Sequence, residues 1–370
     1  MKPFEPQKLP LKEVNWEPLI PLIGQSNRSL AYFEGVLKGV ANPELLLSPL
    51  TTEEAVLSSQ IEGTQASLTD VLRFEAGDAP KERSRQQDIH EIINYRRALK
   101  TAEKELKTRP FGLNLLRKLH EILLDSVRGR DKGRGRFRTI QNWIAPPDTP
   151  IEKAYYIPPA PDRLMEYLDN WEKYYHLERP DPLVQLAIVH AQFELIHPFV
   201  DGNGRVGRML IPIFLAEKRL LSRPIFYLSA YLEANRKEYY NRLRALGQHE
   251  QAWDGWIAFF LQALDRQAKA NASKATAIIE LYDDLKQRAI EVTHSQFAVP
   301  ILDRLFRQPI FAGAALVGMR GLPSKPVIMS ILGKLKAVGL LKTIRKGSGR
   351  RPQVYALVAL VNLCEGKKAV

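Results

Sequence analysis

A chain of 370 residues that is 45% hydrophobic has enough apolar side chain for a sizeable core and, by its length, two or three domains. Its single cysteine, Cys364, excludes an internal disulfide framework and suits a reducing compartment. The formal charge of +13 is uneven: residues 301–370 hold thirteen Lys and Arg against Asp303 and Glu365, which leaves the first 300 residues close to neutral, so a partner of the first 300 residues is not read by gross charge.

The first residues, MKPFEPQKLPLKEV, contain no apolar h-region, and no run approaches the roughly 20 apolar residues of a membrane span, so a cytoplasmic protein without membrane contact is expected. Residues 1–95 read as a helical region. Within it, residues 51–70 (TTEEAVLSSQIEGTQASLTD) set Ser58 four positions before Glu62, on one helix face, where the hydroxyl reaches the carboxylate or the backbone. By itself this pattern equally suits a solvated helix. Residues 135–159 (GRFRTIQNWIAPPDTPIEKAYYIPP) mix Pro pairs with β-favouring side chains and predict an extended hairpin.

The run DPLVQLAIVHAQFELI, residues 181–196, predicts a largely buried helix started by Asp181 with Pro182 in its first turn, and Pro198 ends it. Residues 209–220 (MLIPIFLAEKRL) are again apolar at helical spacing, so Asp201–Gly204 is expected as a tight loop opening a second helix. Gly202 and Gly204 would give that loop positive φ and close approach to a ligand, and the free N–H groups of the new helix would point into it, an anion site. Residues 268–294 read as one long helix with polar residues on most faces, a connector spanning about 266–296 between a body at 96–265 and a tail at 297–370.

The chemistry concentrates at 197–208, HPFVDGNGRVGR. Arg205 and Arg208 share a helix face in the first turns, where the helix dipole disfavours cations, so each needs an anion nearby, and their forks suit phosphate. Asp201 adds a hard oxygen suited to Mg²⁺ bridging a polyphosphate, and His197 is a candidate base for an incoming hydroxyl. Two lookalikes fail. Gly202, Gly204 and Gly207 fit G-x-G-x-x-G but follow a helix, with no acidic residue about 20 positions on. Glu194-x-x-His197 would need a second such pair to bind iron, and His120-Glu121 has the wrong spacing.

The same stretch resembles the Fic family motif HPFx(D/E)GNGRxxR at every specified position. The resemblance implies a mainly α fold, a Fic-type helical bundle with a small β-hairpin flap, and transfer of AMP from ATP to a Tyr, Thr or Ser hydroxyl of a target protein. It implies that His197 is the general base and Asp201 the Mg²⁺ ligand, that Gly202, Asn203 and Gly204 form a nest for the α-phosphate, and that Arg205 and Arg208 hold the β- and γ-phosphates. Val206 and Gly207 complete this nucleotide-binding stretch. Ser58-Ser59-Gln60-Ile61-Glu62-Gly63 is similar to the inhibitory motif (S/T)xxxE(G/N) of one class of Fic proteins, which implies that Glu62 pairs with Arg208 and obstructs the γ-phosphate. Residues 135–159 resemble the flap on which a target chain aligns by strand addition. Tyr239 and Tyr240, in Asn235-Arg236-Lys237-Glu238-Tyr239-Tyr240, resemble tyrosines that flank the adenine. Removal of AMP, with Glu62 orienting a water, is the alternative enzyme reading.

The tail has its own pattern. PILDRLFRQPI, FAGAALVGMRG and SKPVIMSILGKLKAVGLL, the last starting near Ser324, read as three helices, and residues 340–345 and 353–357 as strands around the turn KGSGRRP. This order resembles a winged-helix (α+β) domain. Lys325, Lys334, Lys336, Arg345, Lys346, Arg350 and Arg351 would make a phosphate-tracking surface for DNA, and a regulator that uses the Fic body as a nucleotide sensor is the alternative from another class. Protein docking and a homodimer fit the same fold.

Overall fold

The computed structural model describes residues 2–40, 42–43, 48–125, 132–146, 148–249, 251–349 and 351–368. Its contacts divide the chain into two units, one of residues 1–34, 57–63 and 94–269, the other of residues 35–56, 64–93 and 270–370. In chain order the named helices are α1 (Ile20–Gly39), α2 (Ser48–Ile61), α3 (Leu68–Glu75), α4 (Arg83–Glu105), α5 (Leu113–Leu123), α6 (Leu164–His176), α7 (Pro182–Ile196), α8 (Asn203–Glu217), α9 (Ser229–Ala234), α10 (Arg236–Leu246), α11 (Ala252–Thr293), α12 (Ala298–Arg307), α13 (Lys325–Ala337) and α14 (Val358–Glu365). The strands are β1 (Ile310–Ala312), β2 (Leu341–Arg345) and β3 (Val354–Leu357).

The first unit is built around α7. Every residue from Leu183 to Ile196 is buried, so this mainly apolar helix is covered on all sides, as a central helix must be. Asp181 starts it as expected, its Oδ1 accepting the backbone N–H groups of Leu183 and Val184, each at 2.9 Å, with Pro182 at the first helical position. Two buried indoles, Trp171 and Trp256, donate to the carbonyls of Val189 and Ala187 at 2.9 Å each, which satisfies their N–H groups inside the core. Helices α6 and α8 pack against α7. Helix α8 begins at Asn203, inside the expected Asp201–Gly204 loop, so Gly204 lies within its first turn.

The flap is less regular than a hairpin. One antiparallel bridge joins Ile144 to Tyr156, with a 3₁₀ turn at Ile151–Lys153. Pro146, Pro150, Pro158 and Pro159 have no N–H to extend a ladder. Pro147 lies outside the described residues.

In the second unit β1, β3 and β2 form an antiparallel sheet in that order, with Ile310 opposite Ala356 and Leu341 opposite Leu357. The expected helix over FAGAALVGMRG is instead strand β1 and a 3₁₀ turn, Gly313–Leu316. All three β1 residues are buried against β3, and Gly318 and Gly321 sit at φ of 80° and 83°, which a helix does not accommodate. Helix α13 begins where expected, after Ser324 and with Pro326 in its first turn. Helix α3 is held by a capping box between Ser67 and Asp70, and Glu365 accepts from both the N–H and the hydroxyl of Thr69, at 2.8 and 3.0 Å. Two residues of the expected basic surface are engaged internally. Arg345 donates to Gly77 O and Asp78 Oδ1, both at 2.9 Å, and Lys334 to Thr293 O at 3.1 Å. Arg350 is outside the described residues.

Candidate active site

The site forms where α7 ends and α8 begins. His197 terminates α7 in the left-handed conformation, φ 49° and ψ 59°, which costs a residue with a β-carbon roughly 1–2 kcal/mol. Its Nδ1 lies 3.3 Å from the Glu194 carbonyl, which can only accept, so the proton sits on Nδ1 and Nε2 keeps its lone pair. Burial, reinforced by the positive charge of Arg138, pushes the imidazole down to about 4, so it is neutral at physiological pH. A neutral imidazole with a free Nε2 is the form a general base requires.

The loop from Phe199 to Asn203 is closed by its own residues. Asn203 accepts from Phe199 N through Oδ1 and donates to Phe199 O through Nδ2, both at 2.8 Å, so its amide serves the turn rather than a phosphate. Gly202 takes φ 79° as the N-cap of α8 and contributes no side-chain cap, which leaves the first-turn N–H groups directed at the loop mouth. The Asp201 carboxylate accepts from Gly202 N at 2.6 Å and lies 3.5 Å from the buried Arg205 and 3.8 Å from Lys132. Its side chain is 42% exposed. One exposed hard carboxylate beside an anion-binding turn fits Mg²⁺ brought in by a nucleotide, because that ion keeps waters and phosphate oxygens as its other ligands. Among the described residues no cluster of three or more His, Cys, Asp or Glu offers a cage for a resident metal.

Arg208 is 1% exposed and is held through its Nε and Nη2. Its Nε donates to Ser58 Oγ at 2.9 Å, and its Nη2 donates to Ser58 O at 2.8 Å and to Glu62 Oε1 at 2.7 Å. Burial alone would raise the Glu62 carboxyl, but Arg208 outweighs it and holds the group below the usual carboxylate range. Helix α2 stops at Ile61, short of the expected residue 70. Glu62 and Gly63 form a turn, Glu62 N donating to Ser59 O and Gly63 taking φ 99°. Ser58 therefore bonds the arginine and not the Glu62 carboxylate. Tyr240 is half-buried, with its hydroxyl 3.4 Å from Ile61 O.

Three expected nucleotide-binding residues turn inward instead. Val206 is fully buried, and Tyr239, 1% exposed, donates its hydroxyl to His190 Nε2 at 3.0 Å, so its polar end is directed into the core. The His190 tautomer follows from its other contact, Nδ1–H to Gly207 O at 3.0 Å. Gly207 faces α7. A β-carbon there would lie 2.2 Å from Glu194 Oε1, as one on Gly204 would lie 2.3 Å from Glu62 Oε1. Gly204 is thus helical, and it is required for space rather than for positive φ.

Sequence reasoning did not assign two residues that shape the site. His120 is a tautomer-defined clasp: Gly135 N donates to its Nδ1 and its Nε2–H reaches Asp201 O, each at 3.0 Å, while its ring stacks on Phe199 at 3.7 Å. Glu194 is 8% exposed, and its buried Oε1 has no hydrogen-bond partner among the described residues. Burial pushes this carboxyl up to about 8, Arg208 opposing and Glu62 assisting. His120 has no regular spacing to the motif, and the Glu194-x-x-His197 spacing does not say which way Glu194 faces, so the packed helices reveal both.

Two outcomes follow for Glu194. Gly207→Ala should destabilise the chain by about 1–3 kcal/mol through overpacking. In a urea-unfolding cycle with Glu194→Ala, the coupling should reach about 1 kcal/mol, whereas additive effects would refute the contact. Because the folded carboxyl keeps its proton up to about 8 and an ordinary one loses it near 4.5, its contribution is complete below the lower value and disappears as pH rises through the higher. Urea midpoints at pH 5 and 8.5 should therefore differ less in Glu194→Gln than in the parent chain, and an unchanged difference would count against it.

The Fic/DOC family N-terminal pattern matches residues 20–104 and the Fic/DOC family pattern residues 110–215, together more than half of the chain. A probable protein adenylyltransferase of Aquifex aeolicus is 29% identical over 310 residues, 80% of this chain and 84% of that protein. The protein adenylyltransferase fic-1 of Caenorhabditis elegans is 32% identical over 84 residues, 22% of this chain and 15% of that protein. The crystal structure of a Fic family protein from Desulfovibrio desulfuricans superposes with a TM-score of 0.59 at 20% identity, covering 96% of this chain and 98% of that one, which shows a shared fold. The mainly helical architecture, the HPFVDGNGRVGR turn between two packed helices and these matches agree: the chain belongs to the Fic/DOC family.

Proposed function

We propose that this chain is a cytoplasmic protein adenylyltransferase held at low basal activity by Glu62. The target's Ser, Thr or Tyr oxygen attacks the α-phosphorus of ATP, His197 Nε2 takes the hydroxyl proton, and the bond from the α-phosphorus to the leaving pyrophosphate breaks. The first-turn N–H groups of α8 and the Arg205 guanidinium receive phosphate oxygens, and Arg208 receives the γ-phosphate once it is released. Asp201 would hold Mg²⁺, which when bound neutralises phosphate charge. The target chain aligns along residues 135–159, where the exposed Ile140, Trp143 and Tyr155 offer apolar contacts.

One observation carries the reading. The guanidinium best placed for a terminal phosphate is already closed by Glu62 at 2.7 Å and by both oxygens of Ser58. A carboxylate there competes with phosphate for the same fork. With labelled ATP and Mg²⁺, Glu62→Gly should label itself or a lysate protein several-fold more strongly than the parent chain, with an AMP adduct found by mass spectrometry. His197→Ala should lower labelling by about a hundredfold or more, and labelling that survives it would refute the base. The acid limb of the rate profile should fall near pH 4 rather than 6.5, since burial keeps His197 neutral.

The second reading, a DNA-binding regulator, rests on the exposed Lys325, Lys336, Lys342, Lys346 and Arg351 of the second unit. A duplex titration against salt should give a falling log–log affinity slope of about −0.9 per phosphate neutralised, and a flat line would exclude direct phosphate contact.

A further inference from the structure

Arg138 is 3% exposed, and no hydrogen bond or ion pair to a carboxylate is found for it among the described residues. Its guanidinium donates only to carbonyls: Nε to His197 O at 2.9 Å, Nη2 to Pro159 O at 2.6 Å and Ile196 O at 3.4 Å, and Nη1 to Ile140 O at 3.3 Å. Its backbone N–H donates to Pro198 O at 2.9 Å. Burying a charge without a counter-ion is unfavourable unless the geometry needs it, and here burial lowers the guanidinium to about 10. Two of the accepting carbonyls belong to the C-terminal end of α7, where a cation complements the helix dipole. The other two belong to the two arms of the flap, Ile140 before the Ile144–Tyr156 bridge and Pro159 after it.

A non-glycine residue in the left-handed region persists only where its surroundings over-determine it, and His197 has that conformation at the Arg138 contact. We propose that Arg138 is a positioning residue that fixes the backbone of His197 and ties both arms of the flap to it, so that the base and the strand aligned on the flap are held in one register. The proposal rests on the AMP-transfer reading for its catalytic consequence. A flap that only recruits the target would need no rigid link to the base, whereas in-line transfer to an aligned hydroxyl does, because small misplacements are costly. Lysine would keep the charge and lose the fork that reaches four carbonyls at once.

The test uses the full chain carrying Glu62→Gly, with Arg138→Gln and Arg138→Lys added separately. Arg138→Gln should lower kcat by about tenfold to a hundredfold while the KM for ATP stays within about twofold, and Arg138→Lys should recover part of the loss. Two readouts do not depend on AMP transfer. Hydrogen exchange at the Ile144 amide, which donates to Tyr156 O at 2.8 Å, should quicken in Arg138→Gln. The NMR titration of His197, faced by Arg138, Glu62, Asp201 and the Glu194 carbonyl, should move up from about 4. Unchanged exchange and titration in a folded Arg138→Gln chain would overturn the proposal. If no variant transfers AMP but both readouts shift, the positional link stands and the AMP-transfer reading fails.

Discussion

A guanidinium that is 1% exposed carries a charge that must be matched where it lies, and the organisation of the first unit follows from how Arg208 is matched. Its position in the first turns of α8 puts it on the side of the helix dipole that favours anions. Water cannot reach it, so only an anion or several acceptors from the chain will do. Glu62 supplies the anion and Ser58 two acceptors, and all three bonds come from the last turn of α2 and the turn that follows it. The arrangement is self-contained: the charge of Arg208 is matched within the first unit, and any group that displaced Glu62 and Ser58 would have to supply at least equal compensation.

The second constraint is the sharp reversal between α7 and α8. The central helix cannot simply continue, because Pro198 has no N–H to donate and disfavours helical backbone in the residue before it. The chain instead turns at His197 in the left-handed region and closes Phe199 to Asn203 with one side-chain amide. His120 clasps this turn through Asp201 O and Phe199, and Arg138 through His197 O. The His197 imidazole thus derives its orientation from main-chain contacts. Its neutrality derives from burial and a neighbouring cation, and its tautomer from the Glu194 carbonyl.

The helices with strong periodicity and recognisable ends were legible in the amino-acid sequence. Asp181 with Pro182 and Ser324 with Pro326 mark the starts of α7 and α13 as expected. The motif residues also proved to be neighbours of one another, and Glu62 of Arg208. What could not be read depends on contacts distant in sequence. FAGAALVGMRG has helix-compatible residues, and only pairing with β3, more than forty residues later, makes its start a strand. Tyr239 looks the same on paper whether it faces a ligand or His190. Arg138 could be named as part of the lead into the flap, yet nothing local says that its fork ends on four carbonyls.

The three glycines of the motif show why a pattern of residue types compresses several physical demands into one line. Gly202 alone takes positive φ. Gly204 and Gly207 are helical and are required for clearance, the one against Glu62 on α2's trailing turn, the other against Glu194 on α7. Those two clearances lie three residues apart on one helix, and Arg208 acts electrostatically on both carboxyls. The carboxyls resolve their like charges unequally. Glu62, bonded to the arginine, stays ionised, while Glu194, without a hydrogen-bond partner for Oε1 among the described residues, retains its proton. If Glu62 leaves Arg208, the charge that helped keep Glu194 protonated leaves with it, so the ionisation of the inner carboxyl is tied to the outer one's contact with the same guanidinium.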